Sequence, residues 1–379
     1  MNGKIKIAHV ISQFNYGGAE VLLRELFHSE GFKERLDSDL IIGNSRRLEL
    51  VPQIDGLVNN IYSFDIYSGK FPMEYIKMLR LIRKNKYEIV HVHLPLMGWL
   101  VAFAKKLCPK TIFIYTEHNL FTHHHRLHYY MNGLTYGMYD SIISCGYEVF
   151  YTLEKVQKSW FYKTNNHIAL INGINTDKFQ FQQKTPDPSR KLVVGLVAMF
   201  RRQKRIDRWV EVAEAVHKKS DKIRFLLIGA DYEEEKIREM VKEKGLTEVI
   251  EMPGQLHDTV ASFHRMDIFL MTSDFEGLPL SLLEAMSCGC VPVVSNVGGI
   301  KQLEFEGFGN KFDVFDAGKI ADTIISFTEN LPDFSVQSKK AHEFVLKNYS
   351  LKNQVNKTLE LYDMLLHARK ENKKERLMQ

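Results

Sequence analysis

Residues 268–299 confine the chain to a narrow class of folds. Ile268-Phe269-Leu270-Met271 is an apolar run that reads as a buried strand, and Val291-Pro292-Val293-Val294 reads as another. Between them the sequence predicts a polar loop and one short helix. Pro279, with its fixed φ, suits the first helical turn, and Gly289 can end the helix. Two buried strands joined through a helix make a parallel β-α-β unit, which is stable only with both sheet faces covered.

The same alternation runs along the chain. Strands are expected at 5–11, 39–43, 88–93, 111–116, 141–145 and 167–171, and helices at 19–28, 73–85 and 97–107. Residues 180–190 are polar, carry two prolines and read as a linker. Beyond them the pattern restarts, with strands at 192–200, 223–228 and 249–252 and helices near 206–218 and 233–243. The expected fold class is α/β, with two Rossmann-like domains facing across a cleft, the first over 1–182 and the second over 191–348. Residues 349–379 form a last segment. Ser350 can cap a helix there with Val355, Leu359, Tyr362 and Leu366 on one face, and residues 369–376 are a solvated charge run.

A chain of 379 residues accommodates two such domains, and 45% hydrophobic with 26% charged residues is a globular balance. No apolar run approaches the ~18 residues of a membrane helix, and the N-terminus runs into a strand without a signal-peptide pattern, so a cytoplasmic protein is expected. Cys108, Cys145, Cys288 and Cys290 lack metal or redox spacing and are expected to be reduced, mostly buried thiols. A net charge of +5 suits an anionic ligand or a lipid surface and decides neither, while nucleic-acid motifs are missing.

Several residues carry chemistry. Glu276 stands at the carboxyl end of the 268–271 strand and Glu284 lies on the helix that follows. Between them the backbone N–H groups of Gly277, Leu278 and Leu280, on either side of Pro279, head that helix and form an anion site. A nucleotide diphosphate sugar would offer phosphate to those amides and hydroxyls to the two carboxylates. Arg201 and Lys204 follow the first strand of the second half, where two cations can clamp a diphosphate. Gly17 and Gly18 sit between the first strand and first helix, where a backbone must approach a ligand closely.

His91 and His93 share one face of a strand; a metal site there would need a third ligand, and none is evident in the sequence. His123, His124, His125 and His128 form either a second such cluster or, with Tyr129 and Tyr130, the lining of an acceptor pocket. Asp37-Ser38-Asp39 spells a D-x-D in the wrong context, ahead of a strand, and is read as chance, so no metal is expected. Residues 75–86 form a basic amphipathic helix with Ile76, Leu79 and Ile82 on one side and Lys77, Arg80 and Lys84 on another. It either covers the sheet or meets a membrane surface, which would place the protein at the inner face of a membrane.

The frame E-G-x-P-x-x-x-x-E-A-x-x-x-G from Glu276 to Gly289 resembles the donor-site signature of the family 4 retaining glycosyltransferases (group 1 glycosyltransferases), which have the GT-B fold. The run from Ile11 to Glu20 resembles that family's opening motif, and His118 in Thr116-Glu117-His118-Asn119 its N-domain histidine. Lys204 matches its phosphate lysine, and Gly298-Gly299 its G-G loop. Departures are Met199 where arginine is usual, Gln302 where an acid is usual, and Asn175, after Asn172-Gly173-Ile174, where Asp is common; that last stretch is read as a structural turn.

The resemblance, which spans nearly the whole chain, implies sugar transfer with retention from a nucleotide sugar, a UDP-sugar by preference, to a saccharide or lipid-linked saccharide acceptor in cell-surface glycan assembly. It implies that Glu276 binds sugar hydroxyls, Glu284 the ribose, Lys204 and Arg201 the leaving diphosphate, and Gln255 and Leu256 the base, while His118 orients the sugar. It also implies that the Gly17-Gly18 loop covers the cleft and that the last helix crosses back to the N-terminal domain. Alternatives are a catalytically silent GT-B subunit that stabilises a partner transferase, and a GT-B nucleotide-sugar epimerase or hydrolase.

Overall fold

The computed structural model describes residues 3–118, 125–157, 166–184, 189–256 and 258–378. The chain divides into two units, residues 1–173 with 351–379, and residues 174–350.

The first unit runs β1 (Ile5–Ile11), α1 (Gly18–His28), α2 (Glu30–Arg35), β2 (Leu36–Ile42), β3 (Asn60–Ser63), α3 (Phe71–Asn85), β4 (Ile89–His93), α4 (Pro95–Ala102), α5 (Ala104–Leu107), β5 (Ile112–Glu117), α6 (Arg126–Thr135), β6 (Ser141–Ser144), α7 (Tyr147–Gln157) and β7 (His167–Ala169). Its strands form a parallel sheet in the order β3-β2-β1-β4-β5-β6-β7. Strand β1 therefore lies between β2 and β4, and the order reverses there. Such a reversal sends consecutive connections to opposite faces and opens a crevice at the strands' carboxyl ends.

Elements of the second unit are β8 (Leu192–Val197), α8 (Ile206–Lys219), β9 (Ile223–Ile228), α9 (Glu234–Glu243), β10 (Ile250–Gly254), α10 (Val260–Arg265), β11 (Ile268–Met271), α11 (Leu280–Ser287), β12 (Val291–Ser295), β13 (Asn310–Phe312), α12 (Ala317–Glu329) and α13 (Leu331–Asn348). They build a second parallel sheet in the order β10-β9-β8-β11-β12-β13, reversing between β8 and β11. Trp209 of α8 is fully buried and meets Phe225 of β9 edge-on at 5.6 Å.

The last helix, α14 (Leu351–Met378), belongs to the first unit. Leu351, Val355, Leu359, Leu361, Tyr362 and Leu366 join one core with residues of β1, α1, α2 and β2. The expected apolar face of this helix is the buried one, and the helix continues through the charge run that follows. The other face of the first sheet is covered by a second core that takes in Met78 and Ile82 of α3 and Leu100 and Val101 of α4.

The structure revises several expectations. Residues 174–182, assigned to the first domain from sequence, lie with the second unit. Phe179 packs edge-on against Phe263 there, and its carbonyl accepts from Ser287 Oγ at 2.6 Å. The helix expected over 97–107 starts at Pro95 and breaks at Phe103 into α4 and α5. Pro279 is the N-cap of α11 rather than its first residue.

Asp37-Ser38-Asp39 lies within β2, and buried Asp39 accepts from Tyr87 OH at 2.6 Å and Asn60 Nδ2 at 2.9 Å, a structural role. On α3 the packed residues are Met78 and Ile82, whereas Ile76 is 46% exposed and faces out with Met73, because residues 78 and 82 are one turn apart on the sheet side. No helix among the described residues is long and apolar enough to cross a membrane.

The seam between α14 and the first sheet includes a buried polar contact. Tyr362 OH lies 2.6 Å from Nδ1 of buried His91. Tyr362→Phe should leave that nitrogen buried without its partner and destabilise the protein by about 1–3 kcal/mol, measured by urea unfolding. Leu366→Ala, which removes packing alone, should cost about 2–5 kcal/mol.

Candidate functional site

In the second unit the loops that leave β8 and β11 emerge side by side, because those strands are neighbours at the reversal. Lys204 closes a short turn (Arg202–Lys204) after β8, and Glu276 lies past the end of β11. Lys204 Nζ donates to both carboxylate oxygens of Glu276, at 2.7 and 2.9 Å. Both side chains are mostly buried, with 16% and 6% of their surfaces exposed. Ser273 Oγ donates to Glu276 Oε1 at 2.5 Å and fixes the carboxylate from the other side.

The two loops are stitched together around this pair. Asp274 N donates to the Gln203 carbonyl at 2.9 Å, and Thr272 Oγ1 to the Arg205 carbonyl at 2.9 Å. Arg205 and Arg208 both reach the Asp274 carboxylate.

The Gly298-Gly299 loop closes over Glu276 and Gly277. Gly299 N donates to the Glu276 carbonyl at 3.0 Å. A Cβ on Gly298, whose φ is +52°, would fall 1.8 Å from that carbonyl oxygen, and one on Gly299 would fall 2.4 Å from the Gly277 oxygen. Only two glycines permit this approach.

Helix α11 starts just beyond, with Pro279 at its N-cap and no side chain capping it. The Pro279 carbonyl accepts from Leu282 and Leu283, so the N–H groups of Leu280 and Ser281 head the helix. Gly277 is exposed, Leu278 and Leu280 are half-buried, and Pro279 is buried. Glu284 is half-buried in the middle of α11, and Gly289, with a φ of +89°, follows its C-cap. Arg201 is exposed and held by Asp231, with Nε 3.0 Å from Oδ2. Gln255 and Leu256 lie exposed after β10.

In the first unit Gly17 is the N-cap of α1. The carboxyl of Glu20 folds back over it, so closely that a Cβ on Gly17 would lie 2.3 Å from Glu20 Oε2. Burial raises the Glu20 carboxyl above the usual carboxylate range, and Gln13 Nε2 donates to it at 3.2 Å. Gly18 is open to solvent.

His118 follows β5, and burial lowers its pKa to about 4. Its Nε2 lies 3.2 Å from His93 Nδ1. Asn175 Oδ1 accepts from Lys178 N at 3.0 Å, a bond within its own turn. His123 and His124 lie outside the described residues, while His128 Nδ1 accepts from Trp99 Nε1 at 3.1 Å.

Sequence reasoning missed three groups. Ser273 is three residues before Glu276, a spacing that could have flagged it. Asp231 carries no sequence signal, yet its φ of +133° marks a strained residue at the end of β9. His9 is the third imidazole beside His91 and His93, correcting the expectation that none was evident, because β1 pairs with β4 so that His9 faces His91 in register.

Two families of known proteins match the chain. The model described as glycosyl transferases group 1 covers residues 177–363, and that of glycosyltransferase family 4 covers residues 16–155. The capsular polysaccharide biosynthesis glycosyltransferase CapH of Staphylococcus aureus is 22% identical over 297 residues, which is 77% of this chain and 82% of that protein. The Escherichia coli UDP-Gal:alpha-D-GlcNAc-diphosphoundecaprenol alpha-1,3-galactosyltransferase is 24% identical over 397 residues, covering 97% of this chain and 99% of its own. The crystal structure of Anabaena HepE in complex with UDP superposes with a TM-score of 0.78 at 14% identity, covering 95% of this chain and 100% of that one. The paired parallel sheets, the whole-chain likeness in fold and the two family matches, one in each half, lead to one conclusion: the chain belongs to the family 4 (group 1) glycosyltransferases of GT-B fold.

Proposed function

We propose that this glycosyltransferase moves a sugar from a UDP-sugar to a saccharide or lipid-linked saccharide, with retention of configuration, in cell-surface glycan assembly. The observation that carries this reading is the Lys204–Glu276 pair at the reversal of the second sheet, beside the head of α11. A nucleotide sugar satisfies that arrangement as a unit. Its sugar hydroxyls donate to Glu276, its β-phosphate meets Lys204 and the amides at the start of α11, and its ribose hydroxyls donate to Glu284. Arg201, aimed by Asp231, adds a second cation to the diphosphate.

Charge develops on the leaving diphosphate as the anomeric C–O bond breaks, and fixed cations act most strongly there. In the retaining path the acceptor oxygen attacks the same face, and its proton passes to the departing phosphate oxygen. His118, held neutral by burial, is assigned a hydrogen bond to the sugar rather than proton transfer. The UDP donor draws support from relatives. HepE was crystallised with UDP, and the E. coli relative is named for UDP-galactose and an alpha-1,3 linkage. The reading requires no metal, since Lys204 and Arg201 supply the positive charge.

A membrane-bound acceptor also has a surface to meet. Helix α3 turns Phe71, Met73 and Ile76 outward together with Lys77, Arg80 and Lys84, a pattern suited to an anionic bilayer.

Glu276→Gln keeps the side chain's shape and an amide oxygen that can accept from Ser273 and Lys204, but it removes the charge and one of the two Lys204 bonds, so its unfolding is measured beside its rate. Transfer in that variant and in Lys204→Met should fall about 10²–10³-fold, read as kcat with donor and acceptor saturating. Wild-type rates in either would remove the assignment. Consumption of donor without acceptor would turn the reading towards an epimerase or hydrolase.

UDP at 100 times its Kd should stabilise the protein by roughly 2.7 kcal/mol in thermal unfolding, and Glu284→Ala should abolish most of that shift. No shift with UDP, GDP or ADP would favour a silent subunit.

In co-sedimentation, vesicles containing phosphatidylglycerol should retain the protein and neutral phosphatidylcholine vesicles should not. Ile76→Ser with Arg80→Ser should weaken retention about tenfold.

A further inference from the structure

Four histidines gather where β1, β4 and β5 lie side by side. His9, His91 and His93 are buried on the strands, and His118 follows β5. Sugar transfer as derived above uses only the last. His9 Nδ1 lies 3.4 Å from His93 Nε2, and His93 Nδ1 lies 3.2 Å from His118 Nε2, so three rings form one row.

His91 stands outside it, with Nδ1 2.6 Å from Tyr362 OH and Nε2 2.6 Å from Thr116 Oγ1. Its two nitrogens are both engaged. That argues against a metal triad of His9, His91 and His93, although their ligand atoms lie within 4.8 Å of one another. Burial lowers the pKa of every ring in the row, to about 3 for His9 and about 4 for His118. Each ring is therefore neutral and carries a single proton.

Three neutral imidazoles can share two hydrogen bonds in only two senses. In one, His9 Nδ1–H donates to His93 Nε2, and His93 Nδ1–H donates to His118 Nε2. In the other each proton sits on the opposite nitrogen, and His9 carries its proton on Nε2. That Nε2 is buried without a hydrogen-bond partner among the described residues, in a ring that packs against Phe27 and Phe32. An orphaned buried N–H is rarer than an under-used acceptor, so the first sense wins.

We propose that His9 and His93 are positioning residues that fix His118 as its Nδ1–H tautomer, giving it one oriented donor for a hydroxyl of the transferred sugar. The role of the tautomer rests on the reading of His118 given above; the tautomer itself does not. Backbone strain at the same place fits a constrained ring. Leu94, directly after His93, has a φ of +69°, where a leucine is rarely held.

The test is long-range proton–nitrogen correlation on histidine-labelled protein, paired with kinetics. In the wild type His118 should show a protonated Nδ1 and a bare Nε2. His9→Phe and His93→Phe should mix the two tautomers and lower kcat about tenfold, with donor KM changed less than about twofold. His93→Asn keeps an amide donor near the Nδ1 position and should recover most of the rate. Should His93→Phe fail to fold, His9→Phe carries the test, since a phenyl ring suits its aromatic surroundings.

A wild-type His118 protonated on Nε2, or a tautomer unmoved by both Phe variants, overturns the proposal. So does zinc bound one-to-one with the nitrogen signals of His9 and His93 shifted by it. If the tautomer responds as described but His118→Ala transfers sugar at the wild-type rate, the row stands and the role given to His118 falls.

Discussion

A parallel strand must be followed by a connection that recrosses the sheet, and both sheets begin at an inner strand with neighbours added first on one side and then on the other. At β1 with β4, and at β8 with β11, successive connections leave towards opposite faces. The loops there emerge side by side, and polar groups at the carboxyl ends of neighbouring strands are brought together. Residues far apart in sequence meet for this reason. Lys204 and Glu276 are seventy-two positions apart and His9 and His93 eighty-four, yet each pair spans one strand boundary.

The Lys204–Glu276 pair also illustrates why a site of opposite charges need not strain the fold. Burying either charge alone would cost several kcal/mol, whereas together, with Ser273 on one oxygen, each is solvated by the other. A ligand with both hydroxyls and phosphate would exchange one set of partners for another and leave neither group bare. The loops need not reorganise either, since Asp274 is tied to Gln203, Arg205 and Arg208 and the Gly298-Gly299 turn rests on the Glu276 carbonyl. Preorganisation of this kind is what electrostatic stabilisation of a leaving group requires.

The strands of both sheets were largely legible, because buried parallel strands are continuous apolar runs. Ile5–Ile11, Ile223–Ile228 and Ile268–Met271 fall where the apolar runs put them. Edge strand β3 was not, since Asn60–Ser63 is polar and only partly covered. Helices α12 and α13 went unread although Asp316 and Asn330 cap them through their side chains. The motif carrying Glu276 and Glu284 was legible as local sequence, but the grip of Lys204 on Glu276 depends on strand order, which no local pattern contains. The same holds for His9, an unremarkable strand histidine until β1 is set beside β4, and for Asp231, whose unusual backbone only the fold reveals.

Helix α14 ties these observations to the chain as a whole. Six of its residues complete the core that β1, α1, α2 and β2 begin, so the first unit is built from both ends of the sequence. Until residues 351–366 are present, Ile5, Leu22, Phe27 and Phe32 lack the apolar surface that covers them, and His91 lacks the hydroxyl of Tyr362. An apolar face without cover forfeits the burial that offsets chain entropy. The first sheet therefore reaches its full stability only after the second unit has been made. Buried His91 at its centre is held by a helix from the far end of the chain.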